Sequence, residues 1–481
     1  MNPKAPTGER WRWPSTGIDP DQLAQAVLGV PSLYETETPP ICYPGTPLNP
    51  NLVTLASGIL SKQLNAIGTH THLQDDGAGG WEKTPGEGGF DGLQTMESEA
   101  IWMTASILGG TPQTIDGNFC PGGTEANLQG MWLGREWLRK HMATGDQIGV
   151  DKKVVVFTTS LVHYSVIKAA EILGLGYHKW QNCSDCGVNH IFKGPEDGSG
   201  VNFVPMNSKG EMDPEALESA ILEKYRQGFR RFMMVPTAGT TALGSVDPIN
   251  LISQAMDHVR SRHSDALMYM HVDASFGGFT IPFLNPEHGM GFDTNSPNLM
   301  SMALDADKMG HMPYPAGIFL CRKNLQSYIA RDVHYVRGHQ DDTVSGSRSA
   351  LAPMLAWYYY QTIGIDGHTE YVQKCIDLRE ELALMISARF PQEQVDFFPC
   401  SPWTNFLPLE IKLKNGKIPE DLIENGHLSP YHLRDDCFPS NPHDVSSCPR
   451  SVYKICIMPH HTLSHLERFV SDLATTFAEH G

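Results

Sequence analysis

The sequence predicts an α/β protein built on a mostly parallel sheet, and two observations carry that prediction. Short apolar, β-branched runs recur along the middle of the chain, and stretches with apolar residues at helical spacing lie between them. Strands that alternate with helices typically form a parallel sheet covered by helices on both faces. The apolar runs are residues 154–157, 232–235, 267–272, 299–304 and 316–321.

The remaining elements divide the chain into three parts. Residues 1–67 are rich in proline and predict an N-terminal arm with one or two short helices. Residues 68–345 begin with a glycine-rich loop and continue into the alternating region, the expected large domain. Residues 346–481 predict a smaller C-terminal α/β domain that contains a helical hairpin, the strand-like NFLPLEIKL and a final amphipathic helix. Helical patterns inside the large domain cover residues 91–110, 165–176 and 249–262.

Composition and charge exclude several classes of partner. Lys and Arg number 36 against 54 Asp and Glu, a formal charge of −18, and such a surface repels nucleic-acid phosphates and anionic lipids. We expect no nucleic-acid partner and no membrane segment, since no charge-free apolar run reaches the ~20 residues of a span. The ten scattered cysteines favour a reducing, cytoplasmic location. We predict no metal site, because neither Cys183 and Cys186 nor His70 and His72 have further ligands at suitable spacing.

Polar residues follow the apolar runs at the points where strands would end. Ligands of open α/β sheets bind beyond the carboxyl ends of the strands, so these residues are candidates for a functional site. They are His163, Ser165, Thr237, Asp273, Asp305 and Lys308. Gly123 and Thr124 start a helical stretch, where unpaired amides and the helix dipole favour an anion. Each residue alone has an ordinary structural explanation. Their occurrence together, in this order at the ends of the predicted strands, indicates a functional site.

These residue types suit pyridoxal phosphate. The amine of Lys308 can form a Schiff base with its aldehyde. Asp273 can pair with the pyridine nitrogen, and His163 is a flat side chain that can lie over the ring. Gly123 and Thr124 can bind the phosphate.

Six stretches give the chain a family resemblance. It resembles the group II pyridoxal-phosphate decarboxylases of fold type I, and in particular histidine and tyrosine decarboxylases. The likeness is strong over residues 90–350 and looser elsewhere. The matching stretches are GGTEANLQGMWLGRE, SLVHYSVIKAAEILGL, PTAGTTALGSVDPI, HVDASFGGFTIPF, DADKMGHMPYPAGIFLCR and SGSRSA.

The resemblance implies roles for individual residues. Lys308 would carry the cofactor, Asp273 would partner the pyridine nitrogen and His163 would stack on the ring. Gly123 and Thr124 would hold the phosphate with Ser165 and Asp305 nearby, and Thr237 would lie near the phenolic side of the cofactor. Gly346 and Ser347 belong to an element that reaches the phosphate from a neighbouring subunit in relatives, which implies a homodimer with shared active sites.

The substrate side of the site is less closely defined. Tyr335 lies in HYVRGHQDDT, which resembles a catalytic loop whose tyrosine returns a proton to carbon; the alternative is that Tyr335 only packs the loop. We expect His70, Trp81 and Arg348 to contact the substrate. The composition of residues 69–89 suits an aromatic, an imidazole or a moderately polar amino acid.

Two departures from the family pattern stand out. Relatives have His immediately before the cofactor lysine, and here the residue is Asp307. A carboxylate beside a phosphate is repelled unless a cation such as Arg348 intervenes. Ser275 replaces a small apolar residue. We expect decarboxylation of an L-amino acid to its amine and carbon dioxide. The alternatives are a carbon–carbon lyase, an aldehyde-forming decarboxylase and a non-catalytic protein that keeps the cofactor.

Overall fold

The computed structural model describes most of the chain. The described residues are 39–75, 81–83, 91–141, 153–176, 179–182, 189–287, 289–293, 295–334, 340–414, 419–433 and 450–480, with Ala24 and Tyr34. The helices are α1 (Pro50–Leu60), α2 (Asp91–Ser106), α3 (Gly122–Lys140), α4 (Tyr164–Ile172), α5 (Pro214–Arg226), α6 (Ile249–Arg262), α7 (Ile281–Leu284), α8 (Leu351–Arg389), α9 (Glu420–Glu424) and α10 (Leu463–His480).

The strands form a large central sheet, a smaller C-terminal sheet and three short ribbons. They are β1 (Leu73–Asp75), β2 (Trp81–Lys83), β3 (Ile115–Cys120), β4 (Val154–Thr158), β5 (Lys179–Asn182), β6 (Asn189–Lys193), β7 (Gly200–Phe203), β8 (Arg231–Met234), β9 (Leu267–Asp273), β10 (Leu299–Asp305), β11 (Gly317–Arg322), β12 (Arg331–Asp332), β13 (Gln340–Asp341), β14 (Val395–Phe397), β15 (Phe406–Ile411), β16 (Ser429–Leu433) and β17 (Arg450–Cys456).

The central sheet confirms the predicted fold class. Its strand order is β3-β11-β10-β9-β8-β4-β7, and the pairs β10–β9, β9–β8, β8–β4 and β4–β7 are parallel. Strand β11 is antiparallel to both of its neighbours. The five apolar runs became five of these strands because buried strands of a parallel sheet are apolar on both faces.

Helix α3 packs across the middle of this sheet, against β9, β10 and β11. Helix α4 packs beside it, while α5 and α6 pack together elsewhere on the sheet. This arrangement matters for the site, because α3 begins where β3 ends, next to the carboxyl ends of β9 and β10.

The C-terminal region contains a four-stranded antiparallel sheet in the order β14-β15-β17-β16, and α10 packs on α8 beside it. The region of the expected helical hairpin is α8, which consists of two helical segments that meet at Gly364, where the backbone leaves helical geometry (φ 65°, ψ 178°). Glycine tolerates this positive φ without the steric cost that a side chain would bring. The proposed boundary near residue 346 stays a prediction.

Within the part of the chain that the structure describes, no helix combines the length and the apolar composition that a membrane span requires.

Candidate active site

Lys308 lies just beyond the carboxyl end of β10, in the turn that follows Asp305. Its Nζ is 2.7 Å from Asp305 Oδ2 and 3.9 Å from the centre of the Phe276 ring. The side chain is 15% exposed, so the amine is held at the edge of a mostly buried space and remains accessible to a small molecule. The amine is partly shielded from solvent, which favours a nucleophilic lysine, and Asp305 fixes its position.

Asp273 ends strand β9 and is fully enclosed. Its Oδ1 accepts hydrogen bonds from the Ser275 hydroxyl (2.6 Å) and amide (3.1 Å), and its Oδ2 accepts one from Asn127 Nδ2 (2.9 Å). Burial alone would raise the pKa of this carboxyl group. The nearby His163 and Lys308, together with these hydrogen bonds, outweigh burial and hold the pKa below its usual value. Asp273 is therefore a carboxylate.

His163 precedes helix α4 and acts as its N-cap. Its Nδ1 lies 2.8 Å from Ser165 Oγ and 3.4 Å from the Ser165 amide, which donates to it. Burial lowers the pKa of the imidazole, and the negative charge of Asp273 opposes this shift. Ser165 is fully buried, and its hydroxyl also accepts from Asn127 Nδ2 (3.0 Å). Ser165 therefore lies on the Asp273 side of the site.

The N-terminus of α3 faces the same space. A methyl group at Gly123 would lie 2.8 Å from both carboxylate oxygens of Asp305 and 2.6 Å from Ser275 Oγ, so only glycine fits there. Pro121 at the N-cap position has no polar side chain to bind the first-turn amides of the helix. Thr124 follows in the first turn. These amides are available to an anion.

Thr237 follows β8 and is bridged to Asp273 in the parallel direction. Its amide donates to Asp247 Oδ2 at 2.7 Å, and Asp247 Oδ1 accepts from the Met212 amide at 2.7 Å. Among the described residues, no partner lies within hydrogen-bond distance of Thr237 Oγ1. The hydroxyl is 96% buried by the fold and stays available for a ligand, while Asp247 holds its backbone in place.

Asp307 is buried and directly precedes Lys308 in the chain. Its Oδ2 accepts a hydrogen bond from the Ala316 amide at 2.7 Å. Burial, and next the negative charge of Asp305, raise the pKa of Asp307 to about 7. The group that was expected to repel a phosphate is thus partly protonated near neutrality, which reduces the repulsion.

Arg348 lies in a buried cluster and forms an ion pair with Glu97. Its Nη1 is 2.7 Å from Glu97 Oε1 and 2.5 Å from the Phe119 carbonyl oxygen, and its Nη2 donates to the Gly68 carbonyl oxygen. His70 Nδ1 is 2.5 Å from the other oxygen of Glu97. The charges of Arg348 and His70 outweigh burial and lower the pKa of Glu97 to about 2.

This cluster bears on one of the predicted substrate contacts. The second ring nitrogen of His70 is 3.0 Å from the Ile67 carbonyl oxygen, so both nitrogens of the ring have protein neighbours. Contact of a His70 ring nitrogen with a substrate would require the ring to leave its present partners.

The other predicted residues are placed less fully. Trp81 begins β2, which pairs with β1, and its side chain is not among the described groups. Tyr335 lies outside the described residues. Gly346 is half-buried and the Ser347 side chain is exposed, with Ser347 Oγ accepting from Asn65 Nδ2 at 3.3 Å.

The sheet therefore gathers most of the candidates at one edge, at the ends of β4, β8, β9 and β10 and the start of α3. The residues brought together are Gly123, Thr124, His163, Ser165, Thr237, Asp273, Asp305 and Lys308. Sequence reasoning missed Asn127 and His271, which lie directly behind Asp273. Strand alternation was the available signal, since His271 is two residues from Asp273 and faces the same side of the sheet.

The assembled groups fit pyridoxal phosphate. Thr237 Oγ1 and Asp305 Oδ1 are buried polar atoms without a hydrogen-bond partner among the described residues, and both can bind the cofactor. Gly123 lets the start of α3 approach Asp305 and Ser275 closely, where a side chain would clash. An amine, a carboxylate and an imidazole lie at this edge of the sheet, which are the donor types that the cofactor requires.

Comparison with known proteins also indicates a protein that uses pyridoxal phosphate. Residues 94–396 match the model of the pyridoxal-dependent decarboxylase conserved domain. The chain is 28% identical to a tryptophan decarboxylase of Clostridium sporogenes over 418 residues, 86% of this chain and 84% of the relative. It is 27% identical to an L-aspartate decarboxylase of Thermococcus kodakarensis over 392 residues, 79% of this chain and 82% of the relative.

Solved structures agree in fold. L-methionine decarboxylase from Streptomyces sp. 590 superposes with a TM-score of 0.72 at 16% identity, covering 97% of this chain and 96% of that one. Glutamate decarboxylase from Lactobacillus brevis gives a TM-score of 0.71 at 17% identity, covering 98% and 95%.

Proposed function

The chain belongs to the pyridoxal-dependent decarboxylase family, and from that premise we propose that it decarboxylates an L-amino acid at the site around Lys308. The cofactor is pyridoxal phosphate and the reaction class is amino-acid decarboxylation. The observation that carries the proposed site is the position of the Lys308 amine, 2.7 Å from Asp305 Oδ2 at the edge of the sheet where Asp273 and His163 also lie.

Each residue has a part to perform. When bound, the cofactor supplies an aldehyde that bonds to amines and a protonated ring that accepts the electrons left by departing carbon dioxide. Asp305 orients the amine of Lys308. Asp273, a buried carboxylate, would hold the proton at the pyridine nitrogen. His163 would cover one face of the ring and exclude water from it.

The phosphate and phenolic sides are assigned on the same basis. Gly123 and Thr124 would bind the phosphate through the free amides at the start of α3. The unpartnered hydroxyl of Thr237 would donate to the phenolic oxygen. Tyr335 would return a proton to the substrate carbon, and His70, Trp81 and Arg348 would border the substrate.

The decisive experiment identifies both the reaction products and the lysine to which the cofactor is attached. Cofactor-loaded protein is incubated with each common amino acid, and amines and aldehydes are identified by mass spectrometry. We expect one amine, lost in Lys308→Ala and kept in Lys412→Ala, a lysine on the surface of the C-terminal sheet that is 47% exposed. Borohydride reduction should add the cofactor mass to the peptide that contains Lys308.

Other outcomes would change the proposal. Aldehyde in place of amine would indicate an aldehyde-forming decarboxylase. Cofactor attached at Lys308 without any product would refute decarboxylation of these amino acids and favour a non-catalytic role.

A cytoplasmic homodimer with shared sites completes the proposal. Ser347 is exposed in the single chain while the neighbouring Arg348 is buried, which leaves Ser347 free to reach a second subunit. Mixing Lys308→Ala chains with Ser347→Trp chains provides a test. Activity should return in the mixture if Ser347 serves the partner's site, and it should stay absent if each chain completes its own.

A further inference from the structure

A line of buried hydrogen bonds runs away from Asp273 into the core. Asn127 Nδ2 is 2.9 Å from Asp273 Oδ2, and Asn127 Oδ1 is 3.0 Å from His271 Nε2. His271 Nδ1 is 2.9 Å from Ser301 Oγ, to which the Tyr269 hydroxyl donates at 2.7 Å. All five residues are at most 2% exposed. Such a connected network is stable only if every member has its partner.

The donor and acceptor roles follow from the covalent structure. Both hydrogens of the Asn127 amide are used, one by Asp273 and one by Ser165, so its oxygen must accept from His271 Nε2. His271 Nδ1 must then accept from the Ser301 hydroxyl. Burial lowers the pKa of His271 to about 4, which agrees with a neutral ring carrying one proton.

Strand pairing fixes the positions of Tyr269 and Ser301, at the end of the hydrogen-bond line that is farthest from Asp273. Tyr269, His271 and Asp273 alternate along β9 and therefore face the same side of the sheet. Ser301 on β10 is registered directly opposite His271. The three polar side chains of β9 thus point together toward helix α3.

Helix α3 leaves room for these three side chains of β9. Asn127, Gly130 and Gly134 are spaced by three and four residues, so they share one face of the helix. A methyl group at Gly130 would overlap the His271 ring, and one at Gly134 would lie 2.7 Å from Tyr269 Cδ1. The two glycines give the strand side chains the room that the hydrogen-bond line needs. A helix normally disfavours glycine, so their presence here has a packing reason.

We infer that Asn127 and His271 are positioning residues that hold Asp273 ionised and aimed at the cofactor's ring nitrogen. This rests on the proposed function, which makes Asp273 the partner of that nitrogen. The nitrogen needs a carboxylate beside it to keep its proton, and the carboxylate needs Asn127 to donate to it.

His271 acts by fixing the direction of the Asn127 amide. If the amide turned over, its oxygen would face Asp273 Oδ2 and repel the carboxylate. The proton on His271 Nε2 prevents this, because it requires an oxygen at that position. Loss of His271 would therefore raise the pKa of Asp273 and let the proton move from the ring nitrogen to the carboxylate.

The test reads the ring nitrogen directly. Holoprotein is prepared with pyridoxal phosphate isotopically labelled at that nitrogen, and nitrogen NMR reports whether it is protonated. We expect a protonated nitrogen in the wild type and in His271→Gln, whose amide can still donate to Asn127. His271→Phe should shift the resonance toward the neutral form and weaken cofactor binding about tenfold, the effect of one hydrogen bond to a charged group.

His368→Phe is the matched control. His368 is also a buried, neutral imidazole, 3.0 Å from the Phe279 carbonyl oxygen, and none of its recorded contacts leads to Asp273. It should lower thermal stability and leave the ring-nitrogen resonance unchanged. If His271→Phe behaves like this control, His271 is only structural and the inference fails.

A smaller substitution keeps the test interpretable if His271→Phe does not fold. Ser301→Ala removes the donor to His271 Nδ1 and the acceptor of the Tyr269 hydroxyl but leaves the His271 ring in place, and we expect a smaller shift in the same direction. An unchanged resonance in a folded Ser301→Ala protein that binds cofactor would also count against the inference. These readouts need no turnover, so an enzyme with no amine product and a normal nitrogen signal would refute the proposed function alone.

Discussion

The carboxyl group of Asp307 is hydrogen-bonded to the backbone amide of Ala316, with 2.7 Å between Asp307 Oδ2 and the nitrogen. The contact ties the residue before Lys308 to the start of strand β11, which itself lies against the first residues of helix α3. A residue in this position influences both the lysine turn and the anion-binding end of the helix.

The ionisation of Asp307 should make stability depend on pH. Its pKa is raised from 3.8 to about 7, so the folded state holds a proton that the unfolded chain releases. The corresponding stability is fully present below 3.8 and is lost as the pH rises through about 7. We expect the free energy of unfolding of the wild type to fall over this range relative to Asp307→Asn, measured by urea denaturation. Parallel curves for the two proteins would refute this.

The affinity for pyridoxal phosphate should also depend on whether Asp307 is protonated. An ionised Asp307 adds negative charge near the start of α3, where we propose that the phosphate binds, so the wild type should bind pyridoxal phosphate more weakly as the pH rises through about 7. Asp307→Asn removes the titrating group and should show a flatter dependence. Absorbance titration of the unloaded proteins with cofactor gives both curves.

The ion pair of Arg348 with Glu97 should matter chiefly for stability. Arg348→Met leaves a buried carboxylate with one cationic partner fewer, and we expect a loss of about 3–5 kcal/mol in the free energy of unfolding. The double variant Arg348→Met with Glu97→Gln should lose less, because no unpaired charge remains. A normal stability in Arg348→Met with a raised KM would instead support the predicted contact between Arg348 and the substrate.

His72 should tie two segments together in a pH-dependent way. Its Nε2 is 2.6 Å from Asp342 Oδ2 and its Nδ1 is 3.4 Å from Asp116 Oδ2. Burial opposes its charge, but hydrogen bonds and charges from the two aspartates outweigh it and raise the pKa to about 10. The stability this contributes is complete below 6.5 and disappears as the pH approaches about 10.

The measurement compares His72→Asn with the wild type across that range. The difference in melting temperature should be large near neutrality and shrink toward the alkaline end. His258→Asn serves as control, since His258 is 65% exposed and only 3.4 Å from Glu218 at the surface. Equal effects of the two substitutions would argue against a charged His72 held by the two aspartates.

Ser275 should strengthen cofactor binding through Asp273. Its hydroxyl donates to Asp273 Oδ1 at 2.6 Å, and a hydrogen bond to a charged group contributes about 1.5–3 kcal/mol. Ser275→Ala should therefore weaken binding of pyridoxal phosphate by about tenfold or more. Ser253→Ala, which removes a buried hydroxyl that contacts Asn298 instead, should leave the affinity unchanged. Unaltered affinity in Ser275→Ala would show that Asn127 and the Ser275 amide suffice without the hydroxyl.

Local pattern was enough for most of the sheet. The runs that contain Phe157, Met234, Val272 and Leu304 are apolar because strands in the middle of a parallel sheet are covered on both faces. The rule that ligands bind at strand ends then selected Asp273 and Lys308 without knowledge of any contact.

Strand β3 was not predicted from the sequence pattern. Its sequence IDGNFC contains Asp116 and Asn118, which are unusual in a buried strand. Both are fully buried because partners distant in sequence satisfy them: Lys323 Nζ is 2.7 Å from Asp116, and Gln129 Nε2 donates to Asn118 at 2.9 Å. No local pattern predicts those partners.

The sequence by itself determined the fold class, the cofactor and the residue types at the strand ends, because periodicity and strand-end position are local properties of the chain. Only the tertiary structure decided what surrounds each group. His271 and Asn127 are 144 residues apart, and they meet because α3 crosses β9 with glycine at the point of contact. Arg348 likewise pairs with Glu97 across 251 residues. Hydrogen bonds and ion pairs act over a few ångströms, so the packing of the elements, which is not local, decides them.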